Sequence, residues 1–191
     1  MKLLEQKILS CGKVYPGNIL KVDSFINHQI DIGLLAELSK EVYSLFQNNK
    51  ITKILTIESG GIALASLVAQ QFAVPLVYAK KVRAANMVDT LYSASVTSYT
   101  HNKTYEIVVS KEFVSEDDCV LLVDDFLANG CALRGLVNIV NQANATVVGA
   151  AIAIEKGFQD GGAKLRAEGL HIESLAILES MTDDGKIIFR S

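Results

Sequence analysis

VLLVDDFLANG, residues 120–130, decides how this chain is read. Four apolar residues run into two adjacent carboxylates, Asp124 and Asp125, and a short segment then leads to Gly130. Like charges side by side at the end of an apolar strand repel each other and lose solvation, so the pair is costly unless it binds something. Behind it, Leu133, Leu136, Val137 and Val140 carry a helical stripe, so the stretch spells strand, small-residue loop and helix N-terminus. Backbone N–H groups at such an N-terminus bind phosphate without a basic side chain. The acids upstream cannot do so; they suit sugar hydroxyls or a magnesium ion. Together they indicate a phosphorylated sugar. The plainer alternative is an ordinary strand–helix connection whose aspartates cap the helix.

The flanking sequence predicts an α/β domain of parallel strands covered by helices. ITKILTIE (51–58) reads as a buried strand, SGG breaks it, and IALASLVAQQF (62–72) reads as a helix. PLVYAKK (75–81), DCVLLVDD (118–125) and TVVGAAIAIEK (146–156) are further strands, apolar on both faces as a doubly covered parallel sheet requires. Leu4, Ile8 and Cys11 are spaced for one face of an N-terminal helix; a loop containing Gly12, Pro16 and Gly17 follows and ends near Asn27. Asp31 is placed to cap a helix with the stripe Leu35, Leu38, Val42 and Leu45. Residues 82–114 contain two hydroxyl-rich β segments, SASVTSYT and TYEIVVSKEF, which predict a protruding hairpin with a solvated Ser/Thr face. ESLAIL and KIIF form a C-terminal pair turning at Asp184-Gly185.

At 191 residues, half of them apolar, the chain is expected to form one domain spanning 1–191. A net charge of −3 argues against a nucleic-acid surface. MKLLEQKILS lacks the apolar core of a signal peptide, and no apolar run is long enough to span a bilayer. Cys11, Cys119 and Cys131 are odd in number and lack metal-ligand spacing, which suggests reduced thiols and a cytoplasmic protein.

VLLVDDFLANGCAL resembles the signature with which type I phosphoribosyltransferases bind phosphoribosyl pyrophosphate (PRPP). The N-terminal hood segment, the ESGG turn, the hairpin and a late lysine follow in matching order, so the resemblance extends over essentially the whole chain. It is nearest to the bacterial xanthine-using members. It implies that Asp124 and Asp125 are the catalytic acids, holding the ribose hydroxyls directly or through magnesium. It further implies that Ala128, Asn129, Gly130, Cys131 and Ala132 wrap the 5-phosphate. Ser59, Gly60 and Lys81 would bind pyrophosphate, with Lys80 and Arg83 in the same basic cluster. The hairpin would be a lid that excludes water. Magnesium as cofactor and a homodimer follow from the same resemblance, with no direct metal ligand assigned.

The resemblance assigns the base to Leu20, Asn27 and Lys156. A lysine donates and never accepts, so Lys156 suits a 6-oxopurine and fits adenine poorly. Xanthine needs a second donor at its 2-oxo group, which the Asn27 amide supplies; because that amide also accepts, it does not exclude guanine. Phe126 or Phe158 is a candidate stacking partner. Ala128 stands where hypoxanthine/guanine enzymes carry an aspartate, so no loop carboxylate is available as general base. Cys131 and Ala132 replace hydroxyl residues of the phosphate loop, and Cys131 reads as a small filler there. The rival reading is a non-catalytic PRPP- or purine-sensing regulator of the same fold. No GxGxxG follows the first strand, which weakens a dinucleotide-binding reading.

Overall fold

The computed structural model describes residues 1–82, 90–98 and 103–190. In chain order the elements are α1 (Lys2–Cys11), β1 (Lys13–Tyr15), β2 (Ile19–Lys21), a π-helical turn (Asp23–Asn27), α2 (Ile32–Phe46), β3 (Lys53–Ile57), α3 (Ile62–Phe72) and β4 (Leu76–Val82). Then come β5 (Leu91–Ser98), β6 (Lys103–Ser110), β7 (Cys119–Leu127), α4 (Cys131–Gln142), β8 (Thr146–Lys156), α5 (Gly161–Ala167), β9 (Ile172–Met181) and β10 (Ile187–Phe189).

Among the described residues, the main sheet runs β10-β9-β8-β7-β3-β4-β6-β5. The five central strands pair in parallel, and antiparallel partners close both edges. One apolar layer lies under α2, α3 and the hood, around Leu35, Phe46, Val68 and Val123; the other lies under α4, around Leu55, Ile107, Leu122 and Leu136. Burial of β7 and β8 on both faces explains their unbroken apolar runs.

Asp31 caps α2 as expected, accepting the Leu34 N–H at 3.0 Å. The stripe on that helix ends differently: Leu45 is exposed and Phe46 is buried, since position 46 continues the i+4 row from Val42. Cys11 is likewise exposed at the end of α1, so the buried face there is Leu4 and Ile8. The segment expected as a loop after α1 holds the small β1–β2 hairpin and the π-helical turn, which bury Leu20, Val22, Phe25 and Ile26.

The long hairpin is present, and its base continues the sheet. Lys80, Lys81 and Val82 of β4 pair with Val108, Ile107 and Glu106 of β6. Ala94, Val96, Ile107 and Val109 are buried on one face, while Ser95 and Thr97 are exposed on the other, as the hydroxyl pattern predicted. Gln142 of α4 fastens the edge strand through its amide, donating to Ser93 O at 2.7 Å. Arg83 and the hairpin tip at 99–102 lie outside the described residues.

Candidate active site

The aspartates do not end their strand. β7 continues through Leu127 because Asp124, Phe126 and Leu127 remain paired with Ile152, Ile154 and Glu155 of β8. On its other side β7 pairs with β3 only as far as Leu122. The edge of β7 from Asp124 onward is therefore open toward β3, and the ESGG turn fills the step. This is the crevice at the carboxyl ends of parallel strands where open α/β sheets place ligands.

The glycines of that turn are dictated by the acids. A Cβ on Gly60 would collide with the Asp125 carboxylate. One on Gly61 would collide with Thr56 Oγ1 and stand 3.0 Å from Asp124 Oδ1. The Glu58–Ser59 peptide is cis. The Lys81 backbone N–H donates to Glu58 Oε1 at 2.5 Å, binding the turn to β4.

Asn27, Glu58, Ser59, Gly60, Lys81, Asp124 and Asp125 line one cavity of about 330 Å³. Ala128, Asn129, Gly130, Cys131 and Ala132 line an adjoining cavity of about 160 Å³. Gly130 introduces α4 at φ 81°, a left-handed conformation suited to glycine. Asn129 Oδ1 accepts the Cys131 N–H at 3.2 Å, and the remaining amides of the first turn have no acceptor within the helix. Tyr105, Phe126 and Ala132 line both cavities and mark their junction.

Asp124 is 5% exposed. Burial first, then the neighbouring Asp125 charge, hold its carboxyl well above the usual range, against a smaller opposing pull from Lys81. An acid kept in that state in the free protein gains from a cation or from donor hydroxyls arriving beside it. Among the described residues no three His, Cys, Asp or Glu side chains gather into a metal site.

The basic cluster expected on β4 is divided by the strand's two-residue period. Lys81 faces the cleft, while Lys80 lies on the other face with Tyr78 and Phe113. Lys156 ends β8, and its ammonium donates to Asn18 O at 2.8 Å, linking the hood to the sheet. That ammonium stands 5.8 Å from the centroid of the Phe126 ring, and burial lowers its pKa. Phe126 and Asn27 thus line the cleft, and Lys156, which lines neither cavity, lies behind them against the Phe126 ring. Phe158, like Phe126, is partly buried against the core, and it lines neither of these two cavities. Leu20 is 6% exposed and lines neither cavity; it backs the hood.

Glu58 and Glu155 stand at strand ends that the sequence places near one crevice, but it assigns them no role, and it passes over Tyr105 and Arg166. Glu58 and Tyr105 lie in the cleft itself. Glu155, 2% exposed, accepts two hydrogen bonds from Arg166 at 2.8 and 2.7 Å, with Ser174 on the same carboxylate. Arg166 belongs to α5, whose Gly161 packs directly on the backbone of Ala128, Asn129 and Gly130. Tyr105 and Arg166 have no local sequence signal, because the sheet and α5 bring them to their partners from elsewhere in the chain.

A step in a parallel sheet, paired acids on the longer strand and an amide cradle beyond them meet in one cleft. Known proteins give that cleft a family. The model of the phosphoribosyl transferase domain matches residues 22–165. Xanthine phosphoribosyltransferase of Lachnoclostridium phytofermentans is 52% identical over 191 residues, covering 100% of this chain and 98% of its own. The protein of that name from Clostridium novyi is 51% identical, with 100% of both chains covered. Among solved structures, adenine phosphoribosyltransferase from Giardia lamblia shares the fold with a TM-score of 0.76 at 21% identity, over 93% of this chain and 98% of that one. The Trypanosoma brucei enzyme does so with a TM-score of 0.77 at 19% identity, over 95% and 82%. The acids, the glycine turn and the amide cradle all fall within the matched 22–165, and on that ground the chain belongs to the phosphoribosyl transferase family.

Proposed function

We propose that the protein transfers the 5-phosphoribosyl group of PRPP to xanthine, giving xanthosine 5'-monophosphate and pyrophosphate in purine salvage. The observation carrying this reading is the junction of an acid pair, a glycine turn and an amide cradle in one cleft, with Phe126, Asn27 and Lys156 beside it. The full-length relatives named for xanthine support the choice of base.

In this reading the amides of 128–132 hold the 5-phosphate and leave it no freedom to turn. Asp124 and Asp125 take the ribose hydroxyls, while Ser59, Gly60 and Lys81 receive the pyrophosphate. Phe126 offers its face to the purine, Lys156 donates to the 6-oxo group and Asn27 to the 2-oxo group. The purine nitrogen attacks carbon 1 of the ribose as the bond to pyrophosphate breaks, the electron pair leaves with the pyrophosphate, and the proton of the purine imidazole ring passes to solvent. Lys81 favours that departure by charge.

Magnesium fits this donor set: it prefers one or two carboxylates together with substrate phosphates and water. Asp124 and Asp125 would hold it, and its charge would neutralise the leaving group. A cytoplasmic homodimer completes the proposal. Exposed Tyr78 and Phe113, beside Pro75 and Leu76, offer apolar surface for a second copy. Among the described residues no helix is long and apolar enough to cross a membrane.

The test is pyrophosphate release from PRPP and magnesium with xanthine, guanine, hypoxanthine or adenine. Release fastest with xanthine is expected. No release with any base overturns the enzyme reading, and faster turnover of guanine or hypoxanthine overturns the choice of base.

A further inference from the structure

We propose that Tyr105 is a substrate-binding residue, its hydroxyl donating to the 5-phosphate of the bound sugar while its ring supports Lys81 over the pyrophosphate side. This rests on the PRPP reading above and assigns a role to β6 that the signature loop does not contain.

Tyr105 sits on the face of β6 that also carries Ile107 and Val109, both buried against the layer beneath α4. The row is apolar until it reaches the cleft, and there the side chain becomes a phenol. Tyr105 pairs across the hairpin with Val96, and both line the phosphate cavity with residues 128–132. Among the described residues its hydroxyl has no hydrogen-bond partner, although the side chain is half-buried. The hydroxyl is not sealed from solvent, so it is free to donate to a ligand that enters the cavity. Burial first, then the Asp124 carboxylate and the Cys131 thiol, push its pKa up, so at neutral pH it remains a donor facing the start of α4. The ring serves a second purpose. Lys81 Nζ stands 5.2 Å from its centroid, within cation–π range, on the side of the cavity that holds Ser59 and Gly60. One side chain thus faces both ends of the donor substrate.

Tyr105→Phe and Tyr105→Leu separate the two roles. The phenylalanine variant keeps the ring, so inhibition by ribose 5-phosphate should weaken roughly tenfold, the size of a lost hydrogen bond to a charged group. Inhibition by inorganic pyrophosphate, and KM for xanthine, should stay within about twofold, since the ring and the base site are unaltered. The leucine variant should weaken both inhibitors and lower kcat as well. Unfolding curves of the phenylalanine variant should overlay those of the parent protein. Unchanged ribose 5-phosphate inhibition in Tyr105→Phe overturns the proposal while leaving phosphoribosyl transfer intact. If the parent protein releases no pyrophosphate with any base, the function itself fails. Direct calorimetric binding of ribose 5-phosphate to the two proteins then still decides the role of Tyr105.

Discussion

Asp124 and Asp125 are linked through backbone as well as charge: the Asp125 N–H donates to Asp124 Oδ1 at 3.0 Å, and the Phe126 N–H donates to Asp125 Oδ1 at 3.0 Å. Each acid is held by the amide that follows it, which fixes the pair in the cleft before any ligand arrives. Binding competence is therefore maintained against a charge repulsion that the free protein bears.

That repulsion gives a stability prediction. The Asp124 carboxyl is raised in the folded state, so its contribution is fully present below the unfolded value near 4 and is lost as pH rises through the folded value. Asp124→Asn removes this dependence while Oδ1 still accepts the Asp125 N–H. Thermal melts at pH 8 should show Tm higher by about 2–4 °C, with the gap closing toward pH 4, while activity is lost. A lower Tm at pH 8 would contradict the electrostatic account.

Arg166→Met should act in the opposite direction. It leaves Glu155, 3% exposed in its side chain, charged and facing Ser174 alone. Burial opposes the Glu155 charge, and in the native protein the Arg166 and Ser174 hydrogen bonds outweigh it and lower its pKa. The pair's contribution is therefore present above the unfolded value near 4 and fades as pH falls through the folded one. Breaking the pair should cost about 2–4 kcal/mol at pH 8, toward the low end because Arg166 is partly solvated, and less at pH 4. Urea denaturation at both pH values measures it.

Lys156→Ala tests the base site. KM for xanthine should rise by about tenfold to a hundredfold, the range for a charged hydrogen bond, with PRPP affinity retained. Equal loss of both would refute the assignment. Because burial lowers the Lys156 pKa, xanthine binding should weaken on the alkaline side before pH reaches the free-lysine value near 10.4.

Gly60→Ala places a methyl group into the Asp125 carboxylate. The turn must move to admit it, and a displacement near 1 Å at a reacting centre costs on the order of a hundredfold in rate. Steady-state assays should show that loss in kcat/KM for PRPP, with circular dichroism unchanged.

Thr56 offers a subtler case. Its Oγ1 is buried without a hydrogen-bond partner among the described residues, directly beneath Gly61. Thr56→Val should be neutral or stabilising by up to about 1 kcal/mol in urea denaturation, since no bond is lost and an unsatisfied hydroxyl is removed.

Much of the fold was legible because burial on two faces writes continuous apolar runs, as in Val120–Val123 and Ala150–Ile154. The acids, the glycine turn and the small-residue loop were legible because each is a local run of residues with one evident chemistry. What escaped was decided across distance. The end of β7 was misjudged at Asp125 because charge normally ends a strand, yet β8 carries the pairing on to Leu127. Lys80 and Lys81 read as a cluster until the strand turned them to opposite faces. α5 begins with two glycines and lacks helical periodicity; it is placed by the backbone of 128–130 and by Glu155. Tyr105 looked like one more residue in a hydroxyl-rich strand.

The unequal flanks of β7 have an evolutionary corollary. β3 abandons its neighbour after Leu122, leaving later backbone groups of β7 without a strand partner on that side. An insertion after Ile57 that prolonged β3 would complete the ladder and gain regularity, and it would also fill the cleft that the proposed function assigns to the sugar. Selection for a more perfect sheet and selection for turnover pull apart at this one boundary. Consensus-style stabilisation should therefore find its gains on the outer strands and leave the truncated third strand at its present length.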